Sequence, residues 1–355
     1  MVLPREHVGS SPTAGAKKEV KQKMKIDLNE YLPKELDRGR TIVINEVENN
    51  KIEAYVKKRP GKAGHDSKKV TIKRFVELDE LFFEGLGLWQ GEGGKDKGIY
   101  FGNTCVELLL HFLRFIEEKL GISRKKFKVT LNVPVLNRHQ DEIKKEWSKR
   151  LGIAFENFTN VCIDPRINEE YAQMYFNSIV LSELMNNLHI KLQNLILNQK
   201  EFAIAYMKGI IAAEAQVALK KWGTIAYVAV STIDEKMIDF YKKCLEFLDI
   251  SSGTYQPKGR KFPIYGKKNL EKLRTLGLLD LHPKQKLKFE NGFKNYQREI
   301  MKGEEMEKLI LQQLKLGPKT YDDLKSVLNK GRSTIQSHYI PLLERKGFVK
   351  RGLCV

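Results

Sequence analysis

Cysteine is scarce in this chain: Cys105, Cys162, Cys244 and Cys354 are the only four in 355 residues, and no two are spaced as CxxC. That argues against a cysteine zinc site or a disulfide framework and leaves small apolar fillers in a reduced cytoplasm. No apolar run approaches the roughly 18 residues of a membrane span. "MVLPREHVGSSPTAG" has no hydrophobic signal core, so export is not expected either. Acidic residues are also in deficit, with 44 Asp and Glu against 63 Lys and Arg and a formal net charge of +19. The solvated Lys/Glu surfaces of heat-adapted proteins are usually balanced in sign. This imbalance points to a polyanionic partner, nucleic acid.

The organisation is that of an α+β protein. Residues 1–23 are rich in Ser, Pro and Gly without periodicity and are expected to be disordered. One back-translation of "VGSSPTA" resembles the T-arm of a transfer-RNA gene, which suggests a mobile element opening inside such a gene; the gene's codons decide this. Residues 24–76 alternate basic clusters with the strand-like runs "RTIVINEV", "KIEAYVKK" and "KKVTIKRF", a small basic sheet. From Glu77 the pattern is helical, and "EGLGLWQGEGG" (Glu84 to Gly94) follows "LDELFF" directly. Each glycine inside a helix costs about 1 kcal/mol against alanine. Their presence implies another backbone close by.

A strand, "GIYFGN", and an amphipathic helix, "CVELLLHFLRFIEEKLGI", come next. That order recurs: "EFAIAYMKGIIAAEAQVAL", then "TIAYVAVST", then "DEKMIDFYKKCLEFLDI". Both ends of the strand–helix unit repeat at an offset of 128 residues, as a duplication requires. At an offset of 122, Gly87 falls on Gly209 and Glu92 on Glu214. Gly85, Gly87 and Gly91 on one helix would then face Gly209 and Ala213 on the other, with the backbones nearly touching. Glu92 and Glu214 would emerge together at two helix C-termini, where the dipoles oppose negative charge. Such a pair calls for a cation.

"GLGLWQGEG" and "MKGIIAAEA", each followed by the same strand–helix unit, resemble the LAGLIDADG homing endonucleases in their single-chain, two-motif form. The resemblance covers roughly Glu77 to Tyr296. It implies duplicated αββαββα-like halves with pseudo-two-fold symmetry at 77–200 and 201–300. It also implies a monomer whose saddle-shaped antiparallel sheet lies over double-stranded DNA. The metal-binding and catalytic roles, with Mg²⁺ or Mn²⁺, fall on Glu92 and Glu214, and a basic residue often assists; Lys128, Lys258 and Lys261 are the candidates. Three departures stand out: little room for a hairpin after Glu92, Ala215 in place of the final glycine, and Lys208 where a small residue is usual.

Residues 304–355 read as a separate unit of three short helices and a terminal strand, "VKRGLCV", and resemble a winged helix. Arg332, Ser333, Thr334, Gln336 and Ser337 begin its third helix, and Lys350 and Arg351 lie in the tail; all seven are DNA-binding candidates. Trp147 and Trp222 are expected to pack in the interior, and His282 to cap or edge the core. Three functional readings remain open: a metal-dependent endonuclease, a non-cleaving transcriptional regulator on the same scaffold, and an RNA-processing or maturase-like protein.

Overall fold

The computed structural model describes residues 24–36, 39–59, 61, 64–94, 98–232, 234–295, 303–328, 330–350 and 352. The expected disorder of 1–23, and the tail candidate Arg351 with Cys354, lie outside them. The fold is mixed α+β, and the chain divides into two compact units, Met1–Asn295 and Tyr296–Val355.

The first unit begins with short strands: β1 (Lys25–Asp27), β2 (Glu35–Leu36), β3 (Arg40–Val47), β4 (Lys51–Val56), β5 (Val70–Lys73) and β6 (Phe75–Glu77). β1 pairs with β6, and the other four form an antiparallel sheet in sequential order. Ile52, Ala54 and Val56 alternate inward along β4, the period-2 pattern of a half-buried strand. The β3–β4 turn is made by Asn49 and Asn50 at φ 63° and 58°, a left-handed conformation that asparagine tolerates.

α1 (Glu80–Glu92) starts where Asp79 accepts the Phe82 N–H at 3.0 Å, an N-cap that satisfies one of the helix's orphan donors. All side chains from Leu81 to Gln90 are buried. After β7 (Ile99–Asn103) comes α2 (Val106–Phe115), extended by a π-helical turn, Ile116–Leu120, and stopped by Gly121 at φ 74°. β8 (Lys128–Val133), α3 (Gln140–Leu151), β9 (Phe158–Ile163), β10 (Tyr171–Phe176) and the 20-residue α4 (Ile179–Asn198) follow. The sheet order is β7-β10-β8-β9. β9 runs parallel to β8 because α3 crosses between them, as a parallel connection requires. The expected all-antiparallel sheet is therefore mixed on this side.

α5 (Lys200–Glu214) leads directly into β11 (Ala215–Leu219), then β12 (Ile225–Ser231), α6 (Glu235–Phe247), β13 (Lys261–Ile264), α7 (Lys267–Thr275) and α8 (Pro283–Lys294). These strands form a three-stranded antiparallel sheet in sequential order. A single strand thus separates α1 from α2, whereas two separate α5 from α6.

The second unit has its own core of Met306, Ile310, Leu324, Leu328, Ile335, Ile340 and Leu343. Its helices are α9 (Gly303–Lys315), α10 (Tyr321–Leu328), α11 (Arg332–Thr334) and α12 (Ile340–Arg345), the last two joined by a π turn at Ile335–Tyr339. Thr320 and Asp323 cap α10 reciprocally: Asp323 N–H donates to Thr320 Oγ1 at 3.2 Å and Thr320 N–H to Asp323 Oδ2 at 2.9 Å. Val349 and Lys350 are not in a strand.

Candidate functional site

Tight packing of α1 against α5 builds the site. A Cβ on Gly87 would lie 2.3 Å from the Tyr206 carbonyl oxygen, and one on Gly209 2.3 Å from that of Glu84. Only glycine admits backbones this close. Further along, a Cβ on Gly91 would meet the Ala213 methyl at 2.5 Å and Glu214 Cγ at 3.0 Å. Gly85 does not belong to this seam. Its missing side chain makes room for the Phe115 ring, 2.0 Å from where a Cβ would sit, because α2 folds back over the opposite face of α1.

Charge and hydrogen bonding reinforce the seam. Lys208 departs from the small-residue pattern and reaches across to Glu80, with buried Glu84 at 3.7 Å. Deeper in, Gln90 of α1 and Tyr206 of α5 both hydrogen-bond Tyr241 of α6, and Tyr206 bonds His189 of α4 at 2.9 Å. All four side chains are buried. The chain of polar contacts therefore ties α1 to α4, α5 and α6.

Glu92 and Glu214 are the last residues of α1 and α5. The Glu214 carboxylate lies against the backbone of Gly91, its Oε1 3.7 Å from the Cβ position there. Glu92 keeps an exposed face, but protein packed around the rest of the side chain pushes its carboxyl up to about 7. Desolvation disfavours the ionised form. Asn103 donates from Nδ2 to Glu92 Oε1 at 3.4 Å, while its own Oδ1 accepts the Cys105 N–H at 2.8 Å. Tyr171 lays its hydroxyl over Gly102 and is raised to about 12, first by burial and then by the Glu92 charge. Sequence reasoning missed Asn103 and Tyr171. The first ends the strand "GIYFGN"; nothing marked the second, which reaches the site through β7–β10 pairing.

The three lysine candidates separate. Lys128 pairs in register with Tyr175, at the end of β8 remote from Asn132, which lies opposite Tyr171; four residues of strand are about 13 Å. Lys258 is exposed in the turn before β13. Lys261 lies opposite Ser231, one position from Val230, the partner of Ala215, and its ammonium sits 5.7 Å over the Tyr227 ring. Of the three it is the lysine at the Glu214 end of its sheet.

Trp147 is buried as expected, its Nε1 donating to Glu170 at 2.7 Å. Trp222, expected in the interior, is instead 69% exposed on the β11–β12 connection, with Lys220 5.4 Å above its ring. The hairpin is too short to fold its tip onto the core. His282 immediately precedes α8 at the core edge, and burial lowers its pKa.

Among the described residues no cluster of three or more His, Cys, Asp or Glu could hold a metal. Glu92 and Glu214 supply two hard oxygen donors. That number fits Mg²⁺ or Mn²⁺, which are commonly held by one or two carboxylates with substrate phosphates completing the shell.

Residues 201–276, holding α5 through α7, match the model of the LAGLIDADG-like domain. This segment of the chain is similar to a LAGLIDADG-like domain. The chain is also similar to several solved structures. Mesophilic variants of the homing endonuclease I-DmoI share 14% identity over 57% of this chain and 92% of theirs, at a TM-score of 0.36. I-DmoI in complex with DNA and Ca shares 14% over 57% and 92%, at 0.31. Full-length DUF199/WhiA from Thermatoga maritima shares 11% over 77% and 93%, at 0.36. No curated protein matches the chain. Among the described residues no helix is long and apolar enough to cross a membrane.

Proposed function

We propose that this protein is a metal-dependent, site-specific DNA endonuclease of the LAGLIDADG homing type. The observation that carries this reading is that two helices held at backbone contact each end on a glutamate, Glu92 and Glu214. A pure binding protein gains nothing from paired carboxylates facing phosphate, whereas a divalent ion makes them an asset. Mg²⁺ or Mn²⁺ held by the two would activate a water and stabilise the leaving 3′ oxygen during phosphodiester hydrolysis. Asn103 orients the Glu92 carboxylate through its Nδ2–H. Tyr171, neutral across the working pH range, offers a hydroxyl beside it. Lys261 lies at the Glu214 end of its sheet, where it would meet backbone phosphate.

The duplex would lie over the polar faces of the two sheets, where Tyr100, Thr130, Gln173, Tyr175, Tyr227 and Lys261 alternate with core residues. Exposed Trp222 and half-buried Lys220 would extend that surface. We read the C-terminal unit as winged-helix-like, a reading supported by α9, α10 and the continuous α11–π–α12 segment as its third helix, although Val349 and Lys350 form no strand. Arg332, Ser333, Thr334, Gln336 and Ser337 are all exposed at the start of the third, as a helix entering the major groove requires. Lys350, also exposed, would join them.

A second reading, DNA binding without cleavage, is favoured by the single strand between α1 and α2. Only six residues separate Glu92 from Ile99, too few for a long hairpin to grip a groove on that side. The two readings part on one experiment. Purified protein is incubated with plasmid carrying its own gene neighbourhood, with Mg²⁺ or Mn²⁺, beside the Glu92→Gln, Glu214→Gln double variant. Site-specific cutting that the double variant loses supports the endonuclease. Binding that survives in both proteins, without cutting under either metal, selects the regulator.

A further inference from the structure

The N-terminal sheet carries a cavity that neither carboxylate explains. It encloses about 320 Å³ where β3 begins and β4 ends, and is lined by Arg40, Lys57, Lys58, Arg59, His65 and Ser67, with Val56 and Ile179 on its apolar side. No acidic side chain is among the lining residues. The adjoining Asp66 is engaged on the loop, where its Oδ1 accepts the Lys58 backbone N–H at 2.8 Å. Ser67 Oγ accepts the Val56 N–H at 2.8 Å, and the Lys57 N–H reaches the Thr41 carbonyl at 2.8 Å. These bonds hold the cationic side chains on a fixed frame.

Two further observations point to an anion. Arg59 Nε is buried with no acceptor, and an orphaned guanidinium donor costs free energy unless something negative meets it. Ile179 is the first residue of α4, so one wall is the positive end of a 20-residue helix dipole. Across residues 57–69 there are six Lys or Arg and one Asp. Like charges gathered this closely repel one another unless a counter-charge joins them.

We infer that this pocket binds a phosphate group of the nucleic-acid backbone, giving the N-terminal sheet a place in the DNA footprint separate from the Glu92–Glu214 site. The inference rests on the DNA-binding part of the proposed function but not on cleavage. Arg40 and Arg59 would supply planar donors, Lys57 and Lys58 mobile charge, and the Ser67 hydroxyl a neutral partner.

The test measures binding of a duplex from the gene neighbourhood by fluorescence anisotropy across a salt series. Wild type is compared with Arg40→Gln, Arg59→Gln and with Lys57→Gln, Lys58→Gln. The second pair lies on exposed positions and leaves folding intact. Lys236→Gln, Lys243→Gln on the exposed face of α6 removes the same charge elsewhere. A pocket that holds one or two phosphates predicts a salt slope shallower by about 1 to 2 and affinity about 3- to 10-fold weaker in both pocket variants, with the α6 control near wild type. Equal losses in the control overturn the pocket in favour of net charge. A wild-type melting temperature raised by millimolar pyrophosphate, with DNA binding unchanged in the variants, overturns the backbone assignment and leaves a free phosphate as ligand. Wild type that binds no duplex at any salt overturns the underlying DNA reading. Cleavage by Glu92 and Glu214 is scored separately.

Discussion

At the residue scale, Glu92 joins stability to chemistry. Its carboxyl sits at about 7 in the fold, above the roughly 4.3 of a free glutamate. The folded protein therefore holds the proton more tightly than the unfolded chain does. This contribution to stability is complete below the unfolded value and is lost as pH rises through 7. Relative to Glu92→Gln, the wild type should lose about 1 kcal/mol between pH 5 and pH 8, the exposed face of the side chain screening the rest. Thermal melts of both proteins across that range check this. Adding Mg²⁺ at pH 8 should recover the loss in wild type alone; a metal-independent difference would count against the carboxylate pair as a cation site. Gly87 gives a second residue-scale prediction. Alanine there gains about 1 kcal/mol of helix propensity but meets the Tyr206 carbonyl oxygen at 2.3 Å. The net change should be a destabilisation of about 2 kcal/mol, read by urea unfolding, whereas Gly303→Ala, with nothing within 4 Å, should be neutral or slightly stabilising.

At the scale of elements, the third helix of the C-terminal unit makes the sharpest prediction. Arg332 and Gln336 stand one turn apart on its exposed start. If this helix reads base edges, alanine at either should cost about 1 to 3 kcal/mol of discrimination at one base position, visible as a flattened preference in a competition binding selection. A uniform loss across all sequences would make them phosphate contacts instead. Much of this organisation was legible from the chain. The matched spacing of Gly87 with Gly209 and of Glu92 with Glu214 located the helix seam and its carboxylates, because close backbone approach leaves a mark in residue size. Gly85 misled because a missing side chain says that something approaches and not what does: here the Phe115 ring. Tyr171 was invisible because strand register places its neighbour Ala172 opposite Asn103 across 69 residues. Trp222 read as core because hydrophobicity alone cannot distinguish a buried indole from one on a hairpin tip.

At the scale of the whole molecule, two compact units and a surplus of 19 positive charges predict DNA binding that weakens steeply with salt. Removing residues 296–355 should leave the cooperative melt of the first unit in place, since the second has its own core. The same truncation should lower DNA affinity about tenfold or more, through lost avidity rather than a damaged site. An intact affinity would assign the C-terminal unit to protein contact.

The short connection between Glu92 and Ile99 also bears on what kind of sequence this protein can recognise. Where α5 is followed by a hairpin, α1 is followed by a single strand, so the two flanks of the helix seam offer unequal reach. A duplex laid across them would be read in detail on one arm and merely held on the other. A palindrome would waste half of its symmetry on such a reader. The natural target should instead be directional, with base preferences crowded to one side of the scissile centre. Inverting that target within a plasmid should invert the orientation of the bound protein with it.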